Sequence, residues 1–182
     1  LEKLCASHEI ILVDDGSTDD SFAEMHRLHR HDKRIKAIRL TKNFGQQNAI
    51  MCGLHYAKAD ISVTMDDDLQ NPPEEIVKLL DKLEQGYDVV YGIPVHKKHP
   101  FYRNLGARAR DGLFSLICKK PRGIRLSSFR AIRKSLVRQI IRDKSPFVYI
   151  SAITFRHTAK AANVAVRHNR MIYRASNYTP AK

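Results

Sequence analysis

Residues 60–75 read DISVTMDDDLQNPPEE. The first seven alternate roughly between apolar and polar and favour β-branched types, which predicts a strand over 60–66. Pro72 and Pro73 open a helix whose first turn holds Glu74 and Glu75; proline is tolerated there, and acids suit the helix dipole. The helix continues through Ile76, Val77, Leu80 and Leu83 to a stop at Gly86, and YDVVYG (87–92) is a further strand. Strand, helix and strand in units this short predict an α/β fold with a mostly parallel sheet flanked by helices. Between strand and helix stand Asp66, Asp67 and Asp68. Carboxylates this close repel and raise one another's pKa, so something must neutralise them.

The same rhythm extends upstream. EIILVD (9–14) reads as a buried strand, DGSTDDSF as a turn with several helix caps, and 19–31 as a helix with Phe22, Met25 and Leu28 or His29 on one face. RIKAIRL (34–40) is a strand. Residues 43–57 form a helix with Ile50, Met51 and Leu54 inward. Downstream, PVHKKHP (94–100) is a basic loop, and 101–118 an amphipathic helix that either packs on the sheet or lies at a membrane surface. SSFRAI (127–132) reads as a strand, 133–142 as a basic helix, and NVAVRH (163–168) as a strand. PFVYISAITF (146–155) is apolar and fits helix or strand.

The 182 residues suffice for one domain with a sizeable core, and 43% hydrophobic content is ordinary for a globular chain. No apolar run reaches the ~20 residues of a membrane span, and the opening residues do not read as a secretory signal. The three cysteines (Cys5, Cys52, Cys118) lack metal or CxxC spacing and read as free thiols in a reducing compartment. Charge is the unusual feature. Residues 1–95 carry 11 Lys/Arg against 17 Asp/Glu, whereas 96–182 carry 21 against 2. This divides the chain into an acidic α/β part, 1–95, and a basic part of the same domain, 96–182. The basic part calls for anionic partners.

In an open α/β sheet, ligands sit beyond the C-terminal ends of strands. Asp14 and Asp15 follow the first strand and Asp66 to Asp68 the third, so both sets fall on one edge. Carboxylates collected there suit a hard divalent cation, Mg2+ or Mn2+, shared with substrate phosphates. In extended chain Asp66, Asp68 and Gln70 point one way and Asp67 another. Alone, the D-x-D pattern is weak, and an acidic turn capping the next helix explains it as well.

Four ordered stretches make it specific. VDDGSTDDS (13–21), NFGQQNA (43–49), MDDDLQNPPEE (65–75) and GYDVVYG (86–92) resemble the family 2 glycosyltransferases of GT-A fold. Within them the likeness is nearest to the polyprenyl-phosphate group, which includes dolichyl-phosphate mannose synthase and the undecaprenyl-phosphate sugar transferases. SSFRAI and VRHNRMIYRASNYT resemble that group's later segments. The resemblance implies a nucleotide-diphospho-sugar transferase fold, Rossmann-like. It implies that Asp14, Asp15, Asp66 and Asp67 line the nucleotide sugar, and that Asp66, Asp68 and Gln70 hold the metal. It places Asp68 and Arg130 at the reacting centre. Arg103, Arg125, Ser128, Arg130, Arg170 and Ser176 are the candidates for gripping phosphate or acceptor.

The implied partners are a UDP, GDP or dTDP sugar as donor, a polyprenyl phosphate as acceptor, and an anionic membrane surface at the cytoplasmic face. A homo-oligomer is compatible with that role, and nucleic acid is not expected. Such an enzyme would serve cell-envelope glycan synthesis with inversion at the anomeric carbon. The family's usual first strand, with its Pro-x-Tyr-Asn-Glu-like motif, has no counterpart, since residue 1 already reads as the following helix. C-terminal membrane helices, common in the group, have no counterpart before Lys182. Ala175 stands where a glycine is usual.

Two other readings compete. A soluble family 2 transferase could use a glycan hydroxyl as acceptor, but that chemistry needs a general base. Residues 96–182 offer only Asp111 and Asp143 as acids. A basic binding module that has lost catalysis would fit the charge, but no nucleic-acid motif accompanies it and aromatics do not interleave with the basic run. HRLHRHD (26–32) gathers histidines but lacks the partners of a closed zinc site and reads as a solvated helix end.

Overall fold

The computed structural model describes residues 7–95 and 120–169. Six strands and five helices follow one another as β1 (Ile10–Asp14), α1 (Ser21–His31), β2 (Ile35–Arg39), α2 (Gln46–Tyr56), β3 (Ile61–Thr64), α3 (Ile76–Glu84), β4 (Val89–Pro94), β5 (Arg130–Arg133), α4 (Lys134–Arg142), α5 (Ile150–His157) and β6 (Ala161–Val166). A single 3-10 turn, Pro73–Glu75, leads into α3. The proline-opened helix thus begins with a tighter turn than the α-helix predicted from sequence. The ambiguous 146–155 run resolves as α5, since from Ile150 its buried residues recur at helical spacing. The expected helix 101–118, and with it Arg103, lies outside the described residues, as do Arg170 and Ser176.

The strands form two sheets. β1 pairs with β2 in parallel, and the larger sheet runs in the order β3-β5-β4-β6. β4 and β6 are parallel, while β5 is antiparallel to both β3 and β4. A mostly parallel sheet was expected, and β5 is the exception within it. Its reversal brings the start of β5, at Arg130, opposite Thr64, where β3 ends, and beside Tyr91 of β4. Among the described residues no strand pairs with the second edge of β1 or of β3. Their apolar residues, Ile10 to Val13 and Ile61 and Val63, are only half-buried.

Alternation along β4 builds two cores. Val89, Tyr91 and Ile93 face a layer with Leu54 of α2, Leu136, Val137 and Ile140 of α4, and Ile150 and Ile153 of α5. Val90 faces the opposite layer, where Ile76, Leu79 and Leu83 of α3 meet Phe129, Ala131 and Val166. Each fully buried aliphatic side chain contributes about 1.5–3 kcal/mol of transfer free energy. Both halves of the chain supply both cores. Gly92 marks a close approach: a Cβ there would lie 2.6 Å from the Phe129 ring. Arg133 donates from Nε to the Tyr87 carbonyl and from Nη2 to that of Leu83, so it meets a carbonyl in the last turn of α3 and one just past it.

Candidate active site

The loops after β1, β2 and β3 are tied into one edge by a line of hydrogen bonds. At the end of β1, Asp14 is buried; its Oδ1 accepts the Ser17 amide (2.8 Å), and its Oδ2 lies 3.3 Å from Nε of Arg39. Asp15 reaches across to the loop ahead of α2, where its two oxygens accept the Phe44 and Gly45 amides at 2.8 Å each. The turn between them passes so close to this loop that a Cβ on Gly16 (φ +76) would lie 2.7 Å from the Lys42 carbonyl carbon. Gln46, the first residue of α2, then donates from Nε2 to Oδ1 of Asp66 (2.6 Å). The other oxygen of Asp66 accepts the Ser128 hydroxyl, just before β5. The line Asp15, Gly45, Gln46, Asp66, Ser128 therefore runs from the two-stranded sheet to the four-stranded one.

The three aspartates do not continue the extended strand expected over 60–66. β3 ends at Thr64, and the chain turns instead of continuing extended. Asp68 Oδ1 accepts the amide of Gln70 (3.0 Å), and Leu69 between them has φ +60. A short acidic side chain that can bond the amide two residues on favours such a turn over a strand. Asp66 is consequently fixed against Gln46 and Ser128, Asp68 closes the turn, and Asp67 is exposed. Gln70 contributes its backbone to the turn, and like Asp66 and Asp68 it is half-buried, whereas Asp67 and Leu69 are exposed.

Arg130 is buried beneath this edge (2% exposed). Its Nη1 donates to Ser151 Oγ in α5 (3.0 Å) and its Nε to Thr64 Oγ1 (3.3 Å). Burial pushes the guanidinium's pKa down, and the neighbouring Tyr91, Tyr149 and Asp66 offset part of that effect. Among the described residues its hydrogen bonds go to hydroxyls and none to a carboxylate. The result is a buried cation facing the acidic loop. Arg125, by contrast, sits apart. Its backbone pairs with the Asn163 side chain, and the residue borders a shallow groove with Ile93, Pro94, Val95 and Val164.

The other side of the acidic loop is held from the end of β6. Glu75 is 2% exposed and accepts Lys78 Nζ (2.6 Å), Arg167 Nε (2.6 Å) and the Arg167 amide (3.0 Å). Burial alone would raise its pKa, but these three donors outweigh it and hold the carboxyl at about 2. Asn169 donates its amide to the Gln70 carbonyl (2.8 Å). Sequence reasoning placed Glu75 on the helix dipole and missed this pairing, because its partner is 92 residues away. Gln46, Ser151 and Asn169 were missed for the same reason; Gln46 and Asn169 lie inside resembling motifs, and nothing in the sequence pointed to Ser151.

Among the described residues, no three His, Cys, Asp or Glu side chains gather as a metal cluster. The histidines of 26–31 pack on one another and on the backbone, with His29 Nδ1 2.5 Å from the Ile35 carbonyl. Asp66 and Asp68 provide the one or two carboxylates that Mg2+ or Mn2+ uses when phosphates and waters complete its shell, so the donor set fits such a cation.

The glycosyl transferase family 2 model matches residues 1–144. Undecaprenyl-phosphate 4-deoxy-4-formamido-L-arabinose transferase of Edwardsiella ictaluri is 36% identical over 175 residues, which cover 94% of this chain and 53% of the relative. The chain thus spans about half the length of the curated relatives it matches. Glucosyl-3-phosphoglycerate synthase from Mycobacterium tuberculosis, in complex with phosphoglyceric acid, superposes with a TM-score of 0.65 at 21% identity over 96% of this chain and 65% of that one. The same synthase with Mn2+, UDP-glucose and phosphoglyceric acid gives 0.60 at 22% identity, over 94% and 66%. At that identity the likeness speaks for the GT-A fold alone. With the motifs in order, the fold matched and the family model covering most of the chain, this protein belongs to glycosyl transferase family 2.

Proposed function

We propose that the chain is the donor-binding and metal-binding part of an inverting transferase that moves a sugar from a nucleotide diphosphate sugar to a polyprenyl phosphate. The observation that carries this reading is the hydrogen-bonded line from Asp15 through Gln46 to Asp66 and Ser128, which sets the D-x-D carboxylates at one strand edge above a buried arginine. Relatives named as undecaprenyl-phosphate sugar transferases supply the acceptor class.

Mg2+ or Mn2+ on Asp66 and Asp68 would neutralise charge on the departing nucleotide diphosphate. The chain's own groups do the rest. Gln46 and Ser128 hold Asp66 in one orientation, so little reorganisation is needed when the donor arrives. Arg130, buried and fixed by Ser151 and Thr64, adds positive potential where negative charge grows, and burial strengthens its effect. The acceptor is the attacking oxygen. A polyprenyl phosphate has a second pKa of roughly 6 and is already a nucleophile at neutral pH, so no general base is required. Asp143, the one acid among the described residues of the basic half, is engaged by Ser145, Arg156 and His157, and that supports a phosphate acceptor over a hydroxyl.

Calorimetric titration with UDP, GDP and dTDP, with and without Mn2+, tests the donor site. Binding that needs Mn2+ and disappears in Asp68→Ala is expected, and the preferred base names the donor. Binding that ignores both Mn2+ and Asp68→Ala would sink the metal–diphosphate reading. Radiolabelled sugar transfer to undecaprenyl phosphate, with a soluble glycan as control, tests the acceptor; transfer only to the glycan would favour the hydroxyl chemistry.

A further inference from the structure

Leu69 is the one non-glycine residue with positive φ among those described, and it lies between Asp68 and Gln70. A left-handed conformation costs an L residue with a Cβ about 1–2 kcal/mol. It persists only where neighbours over-determine it. Packing does not hold it here, because the Leu69 side chain is 60% exposed. Besides the Asp68 bond to the Gln70 amide, the turn is held by the three residues after β6. The Asn169 amide donates to the Gln70 carbonyl (2.8 Å), and its side-chain Nδ2 reaches the Leu69 carbonyl at 3.4 Å. His168 Nδ1 lies 3.4 Å from Asn71 Oδ1, and Asn71 is buried. Arg167 is anchored in turn by its two bonds to buried Glu75. Three successive residues thus fasten positions 69, 70, 71 and 75, although Asn169 itself is exposed.

We propose that Asn169, anchored through Arg167 and Glu75, is a positioning residue whose side chain, on the Leu69 carbonyl, keeps Leu69 left-handed and thereby fixes Asp68 for the metal-bound donor. This rests on the donor-site reading above. Asn169 touches no reacting atom; its side chain acts through the Leu69 carbonyl, while its main-chain amide, which Asn169→Ala keeps, holds the Gln70 carbonyl. The strain on Leu69 supplies a specific rescue. Glycine adopts the left-handed conformation without the Cβ cost, so Leu69→Gly removes the conformational penalty that Asn169 is there to counter.

The test uses the whole chain in three forms: wild type, Asn169→Ala, and Asn169→Ala with Leu69→Gly. Mn2+-dependent nucleotide affinity is measured by calorimetry with UDP, GDP and dTDP. Exchange of the Gln70 amide, which donates to Asp68, is followed without ligand. Expected are a loss of about tenfold in Asn169→Ala, as for other groups that orient metal ligands, and substantial recovery in the double variant. Faster Gln70 exchange and an unchanged thermal midpoint should accompany the loss. Wild-type affinity in Asn169→Ala would overturn the positioning role while leaving the donor site standing. Equal weakness in both variants would overturn the strain argument. If wild type binds no nucleotide with Mn2+, the donor-site reading falls and this proposal with it.

Discussion

Arg130 raises the sharpest question at the scale of one residue. It is buried, charged, and bonded to the hydroxyls of Thr64 and Ser151. Such a group does little for stability: replacing buried charges by apolar residues of similar volume is often neutral or favourable. The proposed function gives it a role that stability does not. Arg130→Met should therefore leave the unfolding free energy within about 1–2 kcal/mol of wild type, or raise it. The same change should cut sugar transfer by on the order of 10²-fold or more, as losing a fixed charge or donor aimed at a developing anion does. Urea denaturation and the transfer assay read the two effects separately. A variant that unfolds readily and transfers sugar normally would assign Arg130 to the fold alone.

The carboxylates were legible in the sequence as residue types and as an edge, since strand ends and acidic turns are local signals. Their geometry was not. Strand parity set Asp66, Asp68 and Gln70 apart from Asp67, and exposure along the loop alternates in that way, but an Asx-type bond from Asp68 to the Gln70 amide bends the chain where extended strand was expected. Local competition between side chain and strand decided the matter, and periodicity does not register it.

Between elements, the decisive contact joins the turn ahead of α3 to the end of β6. Glu75 looked like an acid serving a helix dipole, a solvated and screened role. The structure buries it and gives it Arg167 and Lys78. Sequence reasoning could place α3 from Ile76, Val77, Leu80 and Leu83, although the residue buried beside Ile76 and Leu83 is Leu79, and could place β4, because it is apolar and followed a helix stop. It could not find that β5 inserts antiparallel between β3 and β4, since strand order depends on long-range pairing. Glu75 also gives these elements a pH signature. Its folded pKa of about 2 lies below the ordinary value of 4.5. The pairing is therefore fully stabilising above about 4.5 and is lost as the pH falls towards 2. Glu75→Gln should be less stable than wild type at pH 6 to 7, with the gap shrinking below pH 4.5 and closing near pH 2. Urea unfolding across that range checks it; a gap independent of pH would show that the charge on Glu75 does not matter to the junction.

For the whole molecule, charge separation is the property that needs no fold to be read. The first 95 residues carry 17 acids and 11 bases, and the remaining 87 carry 2 acids and 21 bases. No helix among the described residues is long and apolar enough to cross a membrane. A basic surface near an anionic leaflet gains about 1 kcal/mol for each Lys or Arg close to it. That attraction is screened over a Debye length of about 10 Å at 0.1 M salt and about 3 Å at 1 M. Vesicles containing phosphatidylglycerol should therefore sediment with the protein at low salt and release it as salt approaches about 1 M, while neutral phosphatidylcholine vesicles should not retain it. Asp68→Ala should leave this binding intact, because the acidic edge and the basic half are separate features. An enzyme reading requires, in addition, that the same variant lose nucleotide binding. Vesicle binding that survives high salt, or that is equal on neutral lipid, would mean that apolar insertion rather than charge brings this chain to a membrane.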